Sequence, residues 1–62
     1  MTFSELMQAT YHMQTVMLVI GEGESITGNA EAMDGYMKNE VTNANVAEIN
    51  IVDNVMKVWL EW

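Results

Sequence analysis

Apolar residues near the start of the chain recur at intervals of three and four. This spacing places them on one face of a helix, which we expect over Phe3–Ala9. Thr2 precedes this stretch, and Glu5 follows three positions after Thr2. That spacing is typical of a capping box, in which each of the two side chains bonds the backbone N–H of the other residue.

A continuous apolar and β-branched run, Val16–Ile20, predicts a buried strand. Gly21 and Gly23 follow it, and glycine permits the positive φ angles that tight turns use. We expect a short return strand over Glu24–Thr27. Its brevity indicates an edge of the sheet, where a short strand limits pairing with other chains.

A second helix is predicted to begin after Asn29, which is a favourable N-cap residue. Glu31 falls in its first turn, where the helix dipole favours a carboxylate. Met33 and Met37 share one face of this helix. Lys38 is expected near its C-terminus, where the dipole favours a cation.

In the last third of the chain, apolar and mostly polar positions alternate on either side of Asp53-Asn54. This pair of residues suits a two-residue turn. If Val52 pairs with Val55, the pairs on one face are all apolar: Ile51 with Met56, Ile49 with Val58, and Ala47 with Leu60. The pairs on the opposite face are mostly polar: Asn50 with Lys57, Glu48 with Trp59, and Val46 with Glu61. We expect the apolar face to be the core.

These elements predict an α+β fold in the order α-β-β-α-β-β. We expect a mostly antiparallel sheet with two short helices on one face. The length of 62 residues predicts a single domain over 1–62. A domain of this size buries about 60% of its unfolded surface, so its stability is small. Such domains commonly use a disulfide, a metal or a partner subunit for further stabilisation.

The composition narrows these options. The chain has no cysteine and one histidine, which excludes disulfides, thiolate metal sites and an all-histidine zinc site within one chain. Self-association remains, and we expect a homodimer. The opening MTFSEL does not resemble a signal peptide, and the longest apolar run is far shorter than a membrane span. We therefore expect a cytoplasmic protein.

The charge is strongly negative. Nine carboxylates oppose two lysines, there is no arginine, and the net charge is −7. Such a charge repels nucleic acids and anionic membranes, so we expect neither to bind directly, and it favours a basic protein partner. The plainer alternative is that the charge only keeps a small apolar protein soluble.

The pattern resembles a group of short proteins encoded by phages and prophages. The resemblance rests on the opening Ser4–Leu6, on the stretch GNAEAMDGYM, and on the closing hairpin formed by Val46–Ile49 and Asp53–Val58. The second glycine of GEG and both tryptophans depart from that pattern. The resemblance implies an accessory protein, in a class that includes inhibitors of host defence proteins, and it implies no active residues. If the gene belongs to a phage, the protein acts in the host cytoplasm.

Candidate catalytic chemistry is sparse. Nucleophilic catalysis needs a serine or threonine beside a positioned base, and no spacing links His12 to Ser4 or Ser25. Glu22 and Glu24 flank a glycine turn, but they lack the dense oxygen ligands of a calcium loop, so a solvated turn is the simpler interpretation. We expect no enzymatic activity, no cofactor and no metal site.

Trp59 is the residue that the predicted fold does not explain. Aromatic residues dominate the energetics of many protein interfaces, so Trp59 is the predicted anchor for a partner. Glu48, Glu61 and Asp34 would supply complementary charge. Trp62 is the second aromatic candidate and is also expected to cover the end of the core.

The leading hypothesis is a non-enzymatic protein-binding module, namely a phage-encoded inhibitor of a basic host protein. If Met17 and Val19 share a face with Trp59, they form an exposed apolar patch of the kind that marks contact sites. One alternative is self-assembly through the same face. The other is capture of a small nucleotide signal between subunits, which the absence of arginine disfavours.

Overall fold

The computed structural model describes residues 1–61, apart from the side chain of Tyr36. The elements, in chain order, are α1 (Phe3–Ala9), β1 (Thr15–Gly21), β2 (Glu24–Asn29), α2 (Ala30–Tyr36), α3 (Asn39–Thr42), β3 (Asn45–Val52) and β4 (Val55–Glu61). The α+β class predicted from the sequence is confirmed. Trp62 lies outside the described residues.

The predicted capping box at the start of α1 is confirmed. The backbone N–H of Thr2 donates to Glu5 Oε1 at 2.8 Å, and the backbone N–H of Glu5 donates to Thr2 Oγ1 at 3.2 Å. The cap satisfies N–H groups that would otherwise lack partners at the helix start. It also fixes where α1 begins, so that Phe3, Leu6 and Met7 face the core.

The sheet has the strand order β2-β1-β4-β3. Each hairpin is antiparallel within itself, while β1 and β4 pair in parallel and join the two hairpins. The sheet is therefore mixed and mostly antiparallel. The two central strands have partners on both sides, and β2 is an edge strand, as predicted; β3 forms the other edge.

One face of the sheet forms the core with the helices. The sheet residues buried there are Val16, Leu18, Val58 and Leu60, and they pack against Phe3, Leu6, Met7, Ala30 and Met33. Because successive strand residues point to opposite faces, the residues between them project to the other side of the sheet. The predicted placement of helices on a single face agrees with this pattern.

The register of β3 and β4 is partly as predicted. Asp53 and Asn54 have φ angles of 52° and 64°, as a two-residue hairpin turn with positive φ at both positions requires. The predicted pairs from Val52–Val55 to Glu48–Trp59 are confirmed.

The predicted pairs Ala47–Leu60 and Val46–Glu61 are wrong, because a β-bulge at Ala47 shifts the register. Val46 pairs with Leu60 and packs against the core, while Ala47 is exposed. The larger valine buries more apolar surface than alanine would. The N-terminal segment holds this arrangement, because the N–H of Val46 donates to the carbonyl of Met1 at 2.8 Å.

The prediction that Ile49 and Ile51 belong to the core is also wrong. They are 43% and 61% exposed, although their partner Val58 is fully buried and Met56 packs against the core. The buried residues of the sheet lie in the central strands β1 and β4, and this half of the edge strand is left uncovered. Alternation in the sequence correctly assigned the face, but it did not indicate how far the helices extend.

A third helix, α3, replaces the irregular connection expected after α2. The second helix ends at Tyr36, and Met37 is extended with φ −79° and ψ 150°. Lys38 therefore precedes α3 instead of occupying the C-terminal turn of α2, which corrects that prediction. Gly35 lies in the last turn of α2 and weakens it, since glycine is a poor helix former. This is consistent with a helix that ends at Tyr36, before the predicted end near Lys38.

Candidate functional site

The face of the sheet opposite the core carries an apolar patch. Trp59 in β4 is the register partner of Val19 in β1, and Met17 lies on the same face two residues before Val19. All three are half-buried. We call these three residues the Trp59 patch and the side of the sheet that carries them the open face. In residues 1–61, the helices pack on the other side.

Two of the predicted acidic residues flank the Trp59 patch. Glu48 in β3 is the direct cross-strand partner of Trp59. Glu61 lies two residues beyond Trp59 in β4, on the same face, and pairs with Asn45. Both carboxylates are exposed, so they keep their hydration and remain available to a charged partner.

Two further acidic residues, Glu22 and Glu24, lie at the hairpin turn near the patch, where the sequence predicts only a solvated turn. A shallow groove of about 480 Å³ at the end of the sheet is lined by Val19, Ile20, Gly21, Glu22, Trp59 and Leu60. An adjoining groove is lined by Met17, Val19, Gly21, Gly23, Glu24 and Ser25. The hairpin turn thus brings Glu22 beside Trp59 at the end of the sheet, while Glu24 pairs with Gly21 at the start of β2.

The parallel pairing of β1 with β4 explains this convergence. It places the end of β1, and therefore the turn that follows, next to the end of β4. One signal in the sequence could have indicated it. The run Val16–Ile20 is apolar on both faces, as is common for strands that pair in parallel within a sheet.

Asp34 does not join this surface. It lies in α2, within the helical layer, and its carboxylate accepts a hydrogen bond from the hydroxyl of Ser4 at 2.8 Å. The side chain is half-buried and ties α2 to α1. Trp62, which is also a predicted site residue, lies outside the described residues.

Lys57 gives the open face one positive charge. It pairs with Met17 on one side and with Asn50 on the other, two residues before Trp59 in β4. The carboxylates of Glu22, Glu48 and Glu61 lie toward the Trp59 end of the sheet. The open face therefore combines an acidic end with a less charged middle.

The residues considered for catalysis are used in other ways or stand at the surface. The hydroxyl of Ser4 also accepts a bond from Gln8 Nε2 at 3.0 Å, and His12 is exposed with its ring 4.8 Å from that of Tyr11. Within the described part of the chain, no three His, Asp or Glu side chains are grouped to hold a metal ion. None of the helices described there has the length and apolar character needed to cross a membrane.

Comparisons of the chain with protein-family models, with curated proteins and with solved structures find no match. The resemblance to phage-encoded proteins therefore stays a prediction.

Proposed function

We propose that this chain is a small, acidic, non-enzymatic module that binds a basic protein on its open face, with Trp59 as the anchor. The observation that carries the proposal is an apolar patch on a face that the described helices leave free, with Glu48 and Glu61 on that face and with Glu22 and Glu24 at the hairpin turn at its end. Two of these acids were identified from the sequence. The other two strengthen the same interpretation.

The two parts of this surface have different roles. Trp59 and Val19 are half-buried, and they supply affinity when a partner removes their remaining exposed apolar surface from water. The exposed carboxylates lie around the patch, where charge mainly speeds encounter and selects the partner. The net charge of −7 extends this attraction to longer range.

The partner is proposed to be a host protein with a basic surface, and a nucleic-acid-binding or defence protein is the natural example. Such proteins already carry a basic groove that attracts anions. The phage-like sequence pattern supports a role as an inhibitor that occupies this groove. Binding would then compete with the nucleic acid of the target.

A matched pair of variants tests the anchor. Wild type, Trp59→Ala and Tyr11→Ala are used to capture proteins from bacterial lysate, and the retained basic protein is purified and titrated by calorimetry. We expect Trp59→Ala to weaken binding by 2 kcal/mol or more, roughly the loss at an interface hot spot. Tyr11 is an exposed aromatic residue outside the patch, so Tyr11→Ala should bind normally. Equal binding by all three proteins would refute the anchor.

A second variant tests the charges. Replacing Glu22, Glu24, Glu48 and Glu61 by glutamine keeps their shape and removes their charge. We expect slower association and a flatter dependence of the association rate on salt concentration. An unchanged salt dependence would restrict the role of the acids to solubility.

Self-assembly through the open face is the alternative that the small size of the domain favours. In that case, the Trp59→Ala variant would have a smaller mass in solution than the wild-type protein. Sequestration of a nucleotide is less favoured, because the carboxylates around Trp59 repel phosphate and the chain has no arginine. Calorimetric titration with cyclic nucleotides would detect it.

A further inference from the structure

The two edge strands of the sheet differ in how well they resist pairing with a strand of another chain. The strand β2 is short and contains Glu24, Gly28 and Asn29, which are residue types depleted in strands. The strand β3 is longer; like β2 it contains no lysine or proline and has one charged residue, but it exposes three large β-branched residues, Ile49, Ile51 and Val52, where β2 exposes Ile26. Edge strands usually carry charges or proline to prevent pairing with other chains. The edge formed by β3 is weakly protected by comparison.

Only the first part of β3 is covered along its outer edge. There the N–H of Phe3 donates to the carbonyl of Ala44 at 2.9 Å, and the N–H of Val46 donates to Met1. The bulge at Ala47 then bends the strand. From Glu48 to Val52 the strand is regular, and in the described part of the chain no strand pairs with its outer edge.

The hairpin turn determines which backbone groups face outward. In a two-residue hairpin the closing pair, Val52 and Val55, exchanges both hydrogen bonds, and the bonded pairs then alternate. Asn50 and Glu48 therefore also bond toward β4. The N–H and carbonyl groups of Ile49 and Ile51 point away from the sheet. These are the same two residues whose side chains are left exposed beside the core.

We propose that a second copy of this chain occupies this edge, with the two β3 strands paired antiparallel about a two-fold axis perpendicular to the sheet. Such an axis keeps the faces of the two sheets on the same sides. Residues that pair must then share a face, so the register moves only in steps that preserve this alternation. The proposal concerns an edge of the sheet and is independent of the function proposed for the open face.

One register of the two β3 strands gives a hydrogen-bond partner to every outward N–H and carbonyl group of Ile49 and Ile51. With Asn50 opposite Asn50 of the second copy, Ile49 of each chain lies opposite Ile51 of the other, and both pairs exchange their N–H···O bonds in each direction. A shift either way brings the bulged Ala47 or the turn residue Asp53 into the pairing and loses one of these pairs. The regular stretch of β3 is therefore complementary to itself in one alignment.

The positions of the side chains also favour this register. The Ile49 and Ile51 side chains of both copies meet on the helix-covered side and extend the core beyond Met56 and Val58. On the open face, Glu48 lies opposite Val52 of the second copy, so carboxylates do not face each other. This matters for a chain with a net charge of −7, in which most surfaces would repel a second copy.

The resulting dimer would join the two four-stranded sheets into one and place both Trp59 patches on the same side. A partner with two basic sites would then meet two anchors. The test is sedimentation equilibrium of the 62-residue chain from low to high micromolar concentration. We expect wild type to reach twice the mass of one chain.

Two variants of the edge and two controls make the test specific. Ile51→Lys places a charge in the seam, and a synthetic chain with N-methylated Ile51 removes one outward N–H while keeping the side chain. Both should raise the dissociation constant by at least about tenfold. Ile26→Lys, at a residue 39% exposed on the opposite edge, and Trp59→Ala should remain dimeric.

A wild-type chain that stays monomeric at high micromolar concentration would overturn the proposal. So would a dimer that Trp59→Ala or Ile26→Lys dissociates while both Ile51 variants leave it intact. Circular dichroism confirms that each variant is folded, and the N-methylated chain answers the question even if the lysine variant does not fold. Loss of partner capture in Trp59→Ala with an unchanged dimer would separate this proposal from the proposed function.

Discussion

The two faces of the sheet are built from neighbouring residues of the same strands, yet they differ in what they contribute. Leu18 and Val58 point toward the helices and are fully buried, while the next residues along each strand, Val19 and Trp59, lie half-buried on the open face. The difference arises from the helices, which cover one side only. Substitutions on the covered face should therefore affect stability, and substitutions on the open face should affect binding.

The largest expected contrast is between Leu18→Ala and Met17→Ala, two adjacent positions of β1. Leu18 is fully buried, so its truncation removes apolar contacts and leaves a cavity that costs about 2–5 kcal/mol. For so small a domain this is a large part of the total stability. Met17 is half-buried on the open face, and its truncation should cost less than about 1 kcal/mol. Urea denaturation followed by circular dichroism measures both.

Equal losses for the two variants would contradict the distinction between the faces. The midpoint and the slope of each transition are compared, because a change in slope indicates a change in the unfolded or native ensemble. Val58→Ala provides an independent check from β4. It should resemble Leu18→Ala, since Val58 is also fully buried.

Local chemistry explains which parts of this fold could be predicted from the sequence. The capping box of Thr2 and Glu5, the Asn29 cap, and the Asp53-Asn54 turn each depend on residues a few positions apart. The side chain of Asn29 accepts the N–H of Ala32 at 2.8 Å, as expected for an N-cap. Such short-range bonds form in much the same way whatever the rest of the chain does.

The remaining features depend on how distant elements meet. The parallel pairing of β1 with β4, which brings Glu22 beside Trp59, has no signal within either strand strong enough to fix the partner. The position of Asp34 in the helical layer follows from the angle at which α2 packs on α1. An exposed acid and a half-buried one look alike in a sequence, so the sequence predicts the acidic part of the site only in part.

Two glycines extend the comparison, one in the helical layer and one in the turn beside the Trp59 patch. Gly35 lies in α2 with open space around it, so Gly35→Ala should stabilise the domain by about 0.4–1 kcal/mol through a smaller entropy of the unfolded chain. Gly23 lies in the turn beside the Trp59 patch with φ +72°, and Gly23→Ala should cost about 1 kcal/mol because the left-handed conformation is strained for alanine. Thermal denaturation compares the two. A stabilising Gly23→Ala would mean that the turn adopts another conformation in solution.

The bond between Ser4 and Asp34 distinguishes an acid of the helical layer from those of the open face. Single substitutions also change helix propensity, so we use a double-mutant cycle of Ser4→Ala and Asp34→Ala, which isolates the coupling. We expect a coupling of about 1 kcal/mol, since the bond is half-buried and one partner is charged. The same cycle with Ser4→Ala and Glu61→Ala should give no coupling. A zero value for both cycles would contradict the tie between α1 and α2.

The smallest effect expected is a pH dependence from Glu5. Hydrogen bonds from the backbone N–H and the side chain of Thr2 lower the pKa of Glu5 from its ordinary value of 4.5. Because the folded pKa lies below the unfolded one, the stabilisation is complete above pH 4.5 and is lost as the pH falls through the folded pKa. The measurement compares the free energy of unfolding of wild type and Glu5→Gln from about pH 7 to about pH 3.

The difference between the two proteins isolates Glu5 from the other carboxylates that titrate in this range. We expect this difference to shrink as the pH falls, and to be smaller at every pH in 1 M salt, because Glu5 is fully exposed. Repeating the comparison in a Thr2→Ala background removes the hydroxyl that the Glu5 backbone bonds, and the pH-dependent difference should shrink there. If it persists unchanged, the hydroxyl of Thr2 does not perturb Glu5. The pKa shift would then be assigned to the backbone N–H of residue 2, which alanine retains.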